Sequence, residues 1–373
     1  MLKLTFDSSA LLGAINIVLK AVPSRTTMPI LNCILIDASG SRILLTANDT
    51  ELGIQTAAAG EILTHGRIAL DARLFSEIIR KLSGENMTVT IEADDDLNTV
   101  ISCENATFRI QGMDAEEFTG IPFIEEKNYI SLSQFTLREV IRQTIFSIAP
   151  NDSNKMMTGE LFQIQDDTLK VVSLDGHRLS IRKVLLKDHY NDSKVIVPGK
   201  TLNEISKILE GDNEKEVLVY FSPSHIMFRF EDTTVVSRLI EGEYFRIDQM
   251  LSSDYETKIT INRKEMLDNL DRALILVKEN DKKPFILNIT DGLMQMHLNS
   301  AMGTMNSSML INKSGRDLMI GFNPKFLMDA LRIIDDEEVD LYMMNPKSPC
   351  FIKDSAENYI YLVLPVNFTP ASY

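Results

Sequence analysis

The sequence predicts an α+β protein of three tandem homologous domains, each with two helices packed on antiparallel sheets. Two observations carry that prediction. Segments that switch from strand-like alternation to helix-like periodicity recur in a fixed order along the chain. They recur at a spacing near 126 residues, too long for a solenoid unit and suited to a whole domain. A chain of 373 residues accommodates three such units.

The first landmark is a strand running into a helix: LTFDSSALLGAI (4–15), ISLSQFTLREVI (130–141) and ITINRKEMLDNL (259–270). Ser8 and Ser9, Ser133, and Asn262 stand at these junctions. They are expected to cap the helices by accepting from a free N–H of the first turn. The second landmark is a hairpin: CILIDASGSRILLTANDTE (33–51), LFQIQDDTLKVVSLDGH (161–177) and LNITDGLMQMHLNSAMG (287–303), with SGS, DDT and DG at the expected turns. In this alignment Asp49 corresponds to Asp175 and Ala301. The third landmark matches best: residues 69–91, 196–221 and 321–343. Each reads as an apolar lead, an amphipathic helix, an acidic turn and a strand. A basic residue opens each helix, as Arg73, Lys200 and Lys325. Boundaries near Asn128 and Ser253 give domains 1–127, 128–252 and 253–373.

Hydrophobic residues make up 44% and charged residues 24% of the chain, the balance of an ordinary globular protein. No stretch has the length of an uncharged apolar membrane span. The N-terminal MLKLTFDSSALLGAINIVLK lacks the apolar run and cleavage site of a signal peptide, so it is expected to belong to the folded chain. Cys33, Cys103 and Cys350 are far apart, odd in number and without a CxxC pair. That pattern opposes a disulfide framework and a zinc site, and a cytoplasmic protein is expected. The chain has no Walker A loop, no GxGxxG after a strand and no GxSxG. No metal or cofactor is expected, and the runs Asp94–Asp96 and Asp335–Glu338 are read as solvated turns.

The net charge of −15 by itself opposes a polyanionic partner. Its distribution points the other way. The six predicted helical segments (7–21, 72–82, 136–148, 200–209, 263–278 and 325–334) together carry +6, opposite in sign to the rest of the chain. Helices sharing one surface would meet phosphates without reading bases.

The stretch VVSLDGHRLSIRK (171–183) sets Asp175, Gly176, His177 and Arg178 in a row. An acid beside an imidazole invites a catalytic reading, a hydrolase or transferase using Asp175 and His177. The repeat argues against it. The position of His177 is Glu51 in repeat one and Gly303 in repeat three, so the chain reversal recurs and the chemistry does not. Asp-Gly favours a tight turn because Gly accepts positive φ. The expected role is a turn that, in repeat two, has become a binding surface.

Four ordered motifs then carry a resemblance: RTTMPIL (25–31), DGHRL (175–179), VIVPGK (195–200) and YLVLPV (361–366). By these the chain resembles the bacterial β sliding clamps, the processivity subunits of DNA polymerase III, over all 373 residues. The resemblance implies a DNA-clamp fold assembled as a ring-shaped homodimer, helices lining the hole and strands forming an outer shell. It implies a non-enzymatic tether that encircles double-stranded DNA without sequence preference. A clamp loader opens the ring, and the DNA polymerase III catalytic subunit and other clamp-motif proteins of replication and repair use it. Under the resemblance Arg25, Arg73, Arg80, Lys81, Lys155, Lys200 and Lys325 face DNA. Phe108 and Ile110, on an edge strand of the first domain, form the dimer interface with Ile275 and Leu276 of the third. A pocket for partner peptides comprises Met157, Leu174, Gly176, His177, Arg178, Leu179, Leu362, Leu364, Pro365 and Val366, joined by Phe245, Gln249 and Met250. This sequence departs from the family pattern at GEYFRIDQML (242–251), which lacks the frequent Pro, and at Asn367, where Arg is frequent. The changes leave the pocket apolar and alter its shape.

Overall fold

The computed structural model describes residues 1–373 except 83, 85, 86, 152, 252, 253, 279–282, 355 and 370–373. The expected boundary at Ser253 and the last residues of the FTPASY tail therefore lie outside the described residues. Among the described residues there are six α-helices: α1 (Ser8–Val18), α2 (Ala72–Leu82), α3 (Gln134–Thr144), α4 (Gly199–Ile205), α5 (Arg263–Leu274) and α6 (Pro324–Ile333).

Most start where a side chain satisfies a first-turn N–H. Asp71 Oδ1 accepts from Leu74 N at 2.8 Å, Ser133 Oγ from Thr136 N at 3.1 Å, Asn262 Oδ1 from Glu265 N at 3.0 Å, and Asn323 Oδ1 from Lys325 N at 3.0 Å. At α1 the cap is Asp7, not Ser8 or Ser9: Asp7 Oδ1 accepts from Ala10 N at 2.9 Å. Ser8 lies inside the helix, buried, with its hydroxyl directed to Gly84 O. Two helices end earlier than their apolar pattern. Past α4 and α5 the backbone tightens into i to i−3 bonds, Ile208 N to Ile205 O and Val277 N to Leu274 O, which close a helix end.

The chain forms two compact units, residues 1–138 with 200–239 and residues 139–199 with 240–373. The second repeat contributes to both. In the first unit a five-stranded sheet ends on the edge strand Ala106–Gln111. An eight-stranded sheet joins repeats one and two, with Thr233–Arg238 antiparallel to Leu52–Ala58. The buried Thr56 and Thr233 hydroxyls meet across that seam at 2.8 Å. In the second unit a seven-stranded sheet joins repeats two and three, with Arg178 opposite Val363 and Arg182 opposite Tyr359. A four-stranded sheet ends on the edge strand Gly303–Leu310. The DDT step expected as a turn is a break inside the assigned strand Gly159–Leu174. Residues 159–164 pair with 193–198, residues 168–174 pair with 179–185, and Asp166 between them has φ +55°.

α5 and α6 cover the sheets of repeat three with Met266, Leu270, Leu327 and Leu331 against Phe285, Leu287 and Phe322, all buried. Full burial of each such side chain contributes about 1.5–3 kcal/mol.

The core of repeat two holds an ionisable group, Glu160, fully buried. Thr144 Oγ lies 3.0 Å from Glu160 Oε2 and 2.7 Å from Val140 O. One hydroxyl proton serves only one of these acceptors, and a protonated Glu160 supplies the other. Glu160 Oε1 has no partner. Burial raises the carboxyl well above its usual range, partly offset by the Thr144 contact. The folded chain therefore holds this proton more tightly than the unfolded chain. Above the unfolded carboxyl's own titration the unfolded state ionises alone, and stability falls by about 1.4 kcal/mol per pH unit until the folded group also titrates. Glu160→Gln should be the more stable chain at pH 7 and should lose that advantage near pH 4. Urea melts at both pH values check it, and an equal gap at both would show Glu160 ionised in the fold.

Candidate functional site

Asp175 builds its turn through the backbone. Its Oδ1 accepts from His177 N at 3.0 Å and Arg178 N at 3.1 Å, and Gly176 between them has φ +82°. The same turn stands in repeat one, where Asp49 Oδ1 accepts from Glu51 N at 3.0 Å and Leu52 N at 2.7 Å across Thr50. In repeat three Ser300 Oγ accepts from Met302 N at 3.1 Å, and Ser300 sits opposite Gly303. The counterpart of Asp175 is thus Ser300, one residue before the expected Ala301. A shorter polar side chain serves the same reversal.

This geometry removes the catalytic reading. The Asp175 carboxylate is committed to backbone N–H groups and to Arg178. The exposed His177 ring stacks on Phe326 at 6.2 Å.

Arg178 is the anchor. Its side chain is 9% exposed. Nε donates to Asp175 Oδ2 at 2.9 Å, Nη1 to Asp329 Oδ2 at 2.6 Å, and Nη2 to the carbonyl oxygen of Phe146. The guanidinium lies 4.5 Å from the Phe326 ring centre. Phe326 O also accepts from Tyr361 OH at 2.7 Å, and burial pushes that phenol up so that it remains a donor. Phe146, Phe326 and Asp329 are absent from the sequence-derived set. No local pattern marks them, since Asp329 is 151 residues from the arginine it holds.

Around this anchor the structure gathers much of the expected pocket. Leu174, Leu179 and Leu362 are buried in one apolar cluster, with Met157 and Phe245 packed on it half-buried. Gln249 and Met250 lie exposed on the turn that follows. Leu364 N donates to His177 O at 2.9 Å, so the last strand is tied to the turn, and Leu364 is 38% exposed. Val366 N donates to Gly321 O, and Val366 lines a separate cavity of about 600 Å³ with Met319, Met344 and Phe368. A Cβ at Gly176 would meet open space, so a ligand backbone has access there. The arrangement is an apolar floor with a fixed polar edge.

All seven basic candidates are exposed. Arg25 and Arg73 line one cavity of about 380 Å³, and Arg73 Nη2 donates to Ser24 O at 3.2 Å. Lys200 pairs with Asp49, which offsets part of its charge. Arg73, Lys200 and Lys325 each occupy the second residue of a helix, α2, α4 and α6. A cation there opposes the helix dipole by about 0.3–1 kcal/mol, so helix stability does not explain it. Arg80 and Lys81 end α2, where the dipole favours them.

Phe108 and Ile110 stand on an edge strand, as expected. Ile275 is 71% exposed, whereas Leu276 is half-buried against the core of repeat three. The three cysteines are free and buried, and no described helix is long and apolar enough to cross a membrane.

Comparison with known proteins places these features. Residues 2–122, 131–245 and 248–367 match the N-terminal, central and C-terminal domain models of the DNA polymerase III beta subunit. The chain is 30% identical to a beta sliding clamp of Staphylococcus epidermidis, over 98% of this chain and 99% of that one. It is 31% identical to a beta sliding clamp of Staphylococcus aureus with the same coverage. Among solved structures, it is similar to a putative DNA polymerase III beta subunit from Eubacterium rectale, with 61% identity, TM-score 0.95, and 99% and 100% of the two chains covered. It is also similar to the DNA polymerase sliding clamp of Bacillus subtilis, with 31% identity, TM-score 0.94 and the same coverage.

Proposed function

Because the chain belongs to the DNA polymerase III beta subunit family, we propose that two copies close head to tail into a ring around double-stranded DNA. The protein is a DNA sliding clamp, a processivity factor without catalytic activity of its own. It works as a dimer with DNA and with DNA polymerase III, and a clamp loader opens it. In the proposed ring Arg25, Arg73, Arg80, Lys81, Lys155, Lys200 and Lys325 face the duplex. Phe108, Ile110, Ile275 and Leu276 close the seam between chains. The DGHRL turn, with Met157, Leu174, Phe245, Leu362 and Leu364 about it, receives partner peptides, and Phe326 belongs to that set. The three family-model matches support reading the repeats as domains 1–127, 128–252 and 253–373. The protein acts in the cytoplasm, where its free cysteines stay reduced.

The observation that carries the DNA-facing assignment is the basic residue at the second position of α2, α4 and α6. Three equivalent placements against the local dipole need a use, and a neighbouring polyanion supplies one. Such contacts are sequence-blind and salt-sensitive, so retention must be topological. Rings loaded on nicked circular DNA should persist through gel filtration at moderate salt. Cutting the circle once should release them. Equal retention on circle and linear DNA would mean that affinity, not encirclement, holds the complex.

A further inference from the structure

The two places where sheets of neighbouring repeats join inside the chain share one residue-by-residue plan. Each begins at a chain reversal. Asp49 N donates to Leu52 O at 3.0 Å and Asp175 N to Arg178 O at 3.3 Å, and in repeat three Ser300 sits opposite Gly303. Each ends on the last strand of the next repeat. That strand starts two residues after a glutamate with positive φ: Glu104 (+47°), Glu231 (+48°) and Glu357 (+53°). Leu52 pairs with Ser237, and Arg178 pairs with Val363. Four residues further along, Thr56 pairs with Thr233 and Arg182 with Tyr359. Counted from the reversal and from the glutamate, the two registers are identical.

The same two parts recur at the free edges of the outer sheets. Gly303–Leu310 ends the four-stranded sheet and Ala106–Gln111 ends the five-stranded one. Applied to them, the shared register sets Gly303 opposite Ile110, Met305 opposite Phe108 and Ser307 opposite Ala106. Burial marks the edge as unfinished. Val235 and Tyr361, which correspond to Phe108, are fully buried, whereas Phe108 is 36% exposed. Each internal reversal also meets the next repeat's helix. Lys200 of α4 pairs with Asp49, Arg178 pairs with Asp329 of α6, and His177 stacks on Phe326, the third residue of α6. The third residue of α2 is Leu74, 44% exposed, and the residue in the place of His177 is Met302, 56% exposed. Gly303 stands in the place of Arg178 and supplies no cation.

Building on the ring reading above, we propose that two copies of the chain join in this register, and that Met302 of one copy packs on Leu74 of the other. The strand pairing is fixed, because a slip of one residue would turn Met305 and Phe108 to opposite faces. Where the internal junctions tie reversal to helix with an ion pair, the seam between copies has an apolar contact.

The register is tested by disulfide trapping. Arg238 N donates to Glu51 O, and Leu364 N to His177 O. By alternation the pairs equivalent to Ser307 and Ala106 are then the close, non-hydrogen-bonded kind, with Cα atoms about 4.5 Å apart. That lies within disulfide reach. Cys103 is first replaced by Ala, because it sits opposite Ala106 in its own hairpin. Ser307→Cys is then combined with Ala106→Cys, Thr107→Cys or Phe108→Cys in the full chain. On mild oxidation the Ala106 combination should give covalently joined chains at least about tenfold faster than the other two, read on non-reducing gels. Fastest joining by the Thr107 or Phe108 combination would mean a slip of one or two residues and overturn the register. A chain that is dimeric by light scattering and joins in no combination overturns the register and leaves the ring standing. A monomeric Cys103→Ala parent removes both. Leu74→Asp should raise the dimer dissociation constant at least about tenfold, and Leu74→Met should not change it. An acid in the first turn of α2 suits the helix dipole, so the fold should persist. A Leu74→Asp chain that dimerises as tightly as wild type overturns the contact with Met302.

Discussion

An Ile275→Asp chain should elute as a folded monomer and should fail to stay on circular DNA. Ile275 follows the last residue of α5 and is 71% exposed, so its side chain adds little to the fold of one chain. In the proposed seam it meets the edge strand that carries Phe108 and Ile110. A carboxylate without a partner in an apolar seam costs at least about 3 kcal/mol. That corresponds to roughly a hundredfold in the dimer dissociation constant. Light scattering gives the mass, and a urea melt at fixed chain concentration separates dissociation from unfolding. Leu276 is the poorer probe, because it also packs on the core of repeat three and its loss mixes the two effects. A chain that stays dimeric would take Ile275 out of the interface.

Arg178→Ala should be the most damaging single change near the pocket. It leaves Asp175 and Asp329 without their cation and strands the carbonyl oxygen of Phe146. Removing one partner from a buried ion pair costs about 3–5 kcal/mol, because the remaining charges stay desolvated. The loss should appear as an earlier unfolding transition. It should also abolish binding of a Gln-Leu-x-Leu-Phe-type peptide, since Arg178 fixes both the turn and α6. Arg178→Lys should recover little. An ammonium cannot span Asp175, Asp329 and the Phe146 carbonyl with the fixed fork that guanidinium provides. A stable Arg178→Ala chain with full peptide affinity would show the network to be incidental.

The contrast between these two residues shows what a single sequence makes legible. Arg178 stands in the DGHRL motif, and Ile275 follows only from the family resemblance. The strands, the six helices and their order followed from periodicity and from caps such as Ser133 and Asn262, which act within a few residues. Where two polar residues competed at one helix start, the sequence did not choose, and Asp7 took the cap expected of Ser8 or Ser9. The three-repeat alignment located the reversals at Asp49 and Asp175 and missed the third by one residue, Ser300 serving in place of Ala301 because a hydroxyl can do what a methyl cannot, while the DDT step lies inside a strand. The partners of Arg178 were out of reach. Phe326 and Asp329 look like ordinary residues of an amphipathic helix until α6 packs beside the turn.

The reversal at Asp49, Asp175 and Ser300 is built three times, yet only the middle copy adds the His-Arg pair that shapes a pocket. The outer copies have Glu51 and Leu52, or Met302 and Gly303, in those places. If that turn is the partner pocket as proposed, each chain has one such berth, and a two-chain ring has two of them. Traffic on the ring is then a queue. A newcomer gains its place only when an occupant lets go, so the order of events on DNA is set by the slowest departure and the local crowd of competitors. A tighter-binding polymerase would run longer and would also hold up every repair factor behind it.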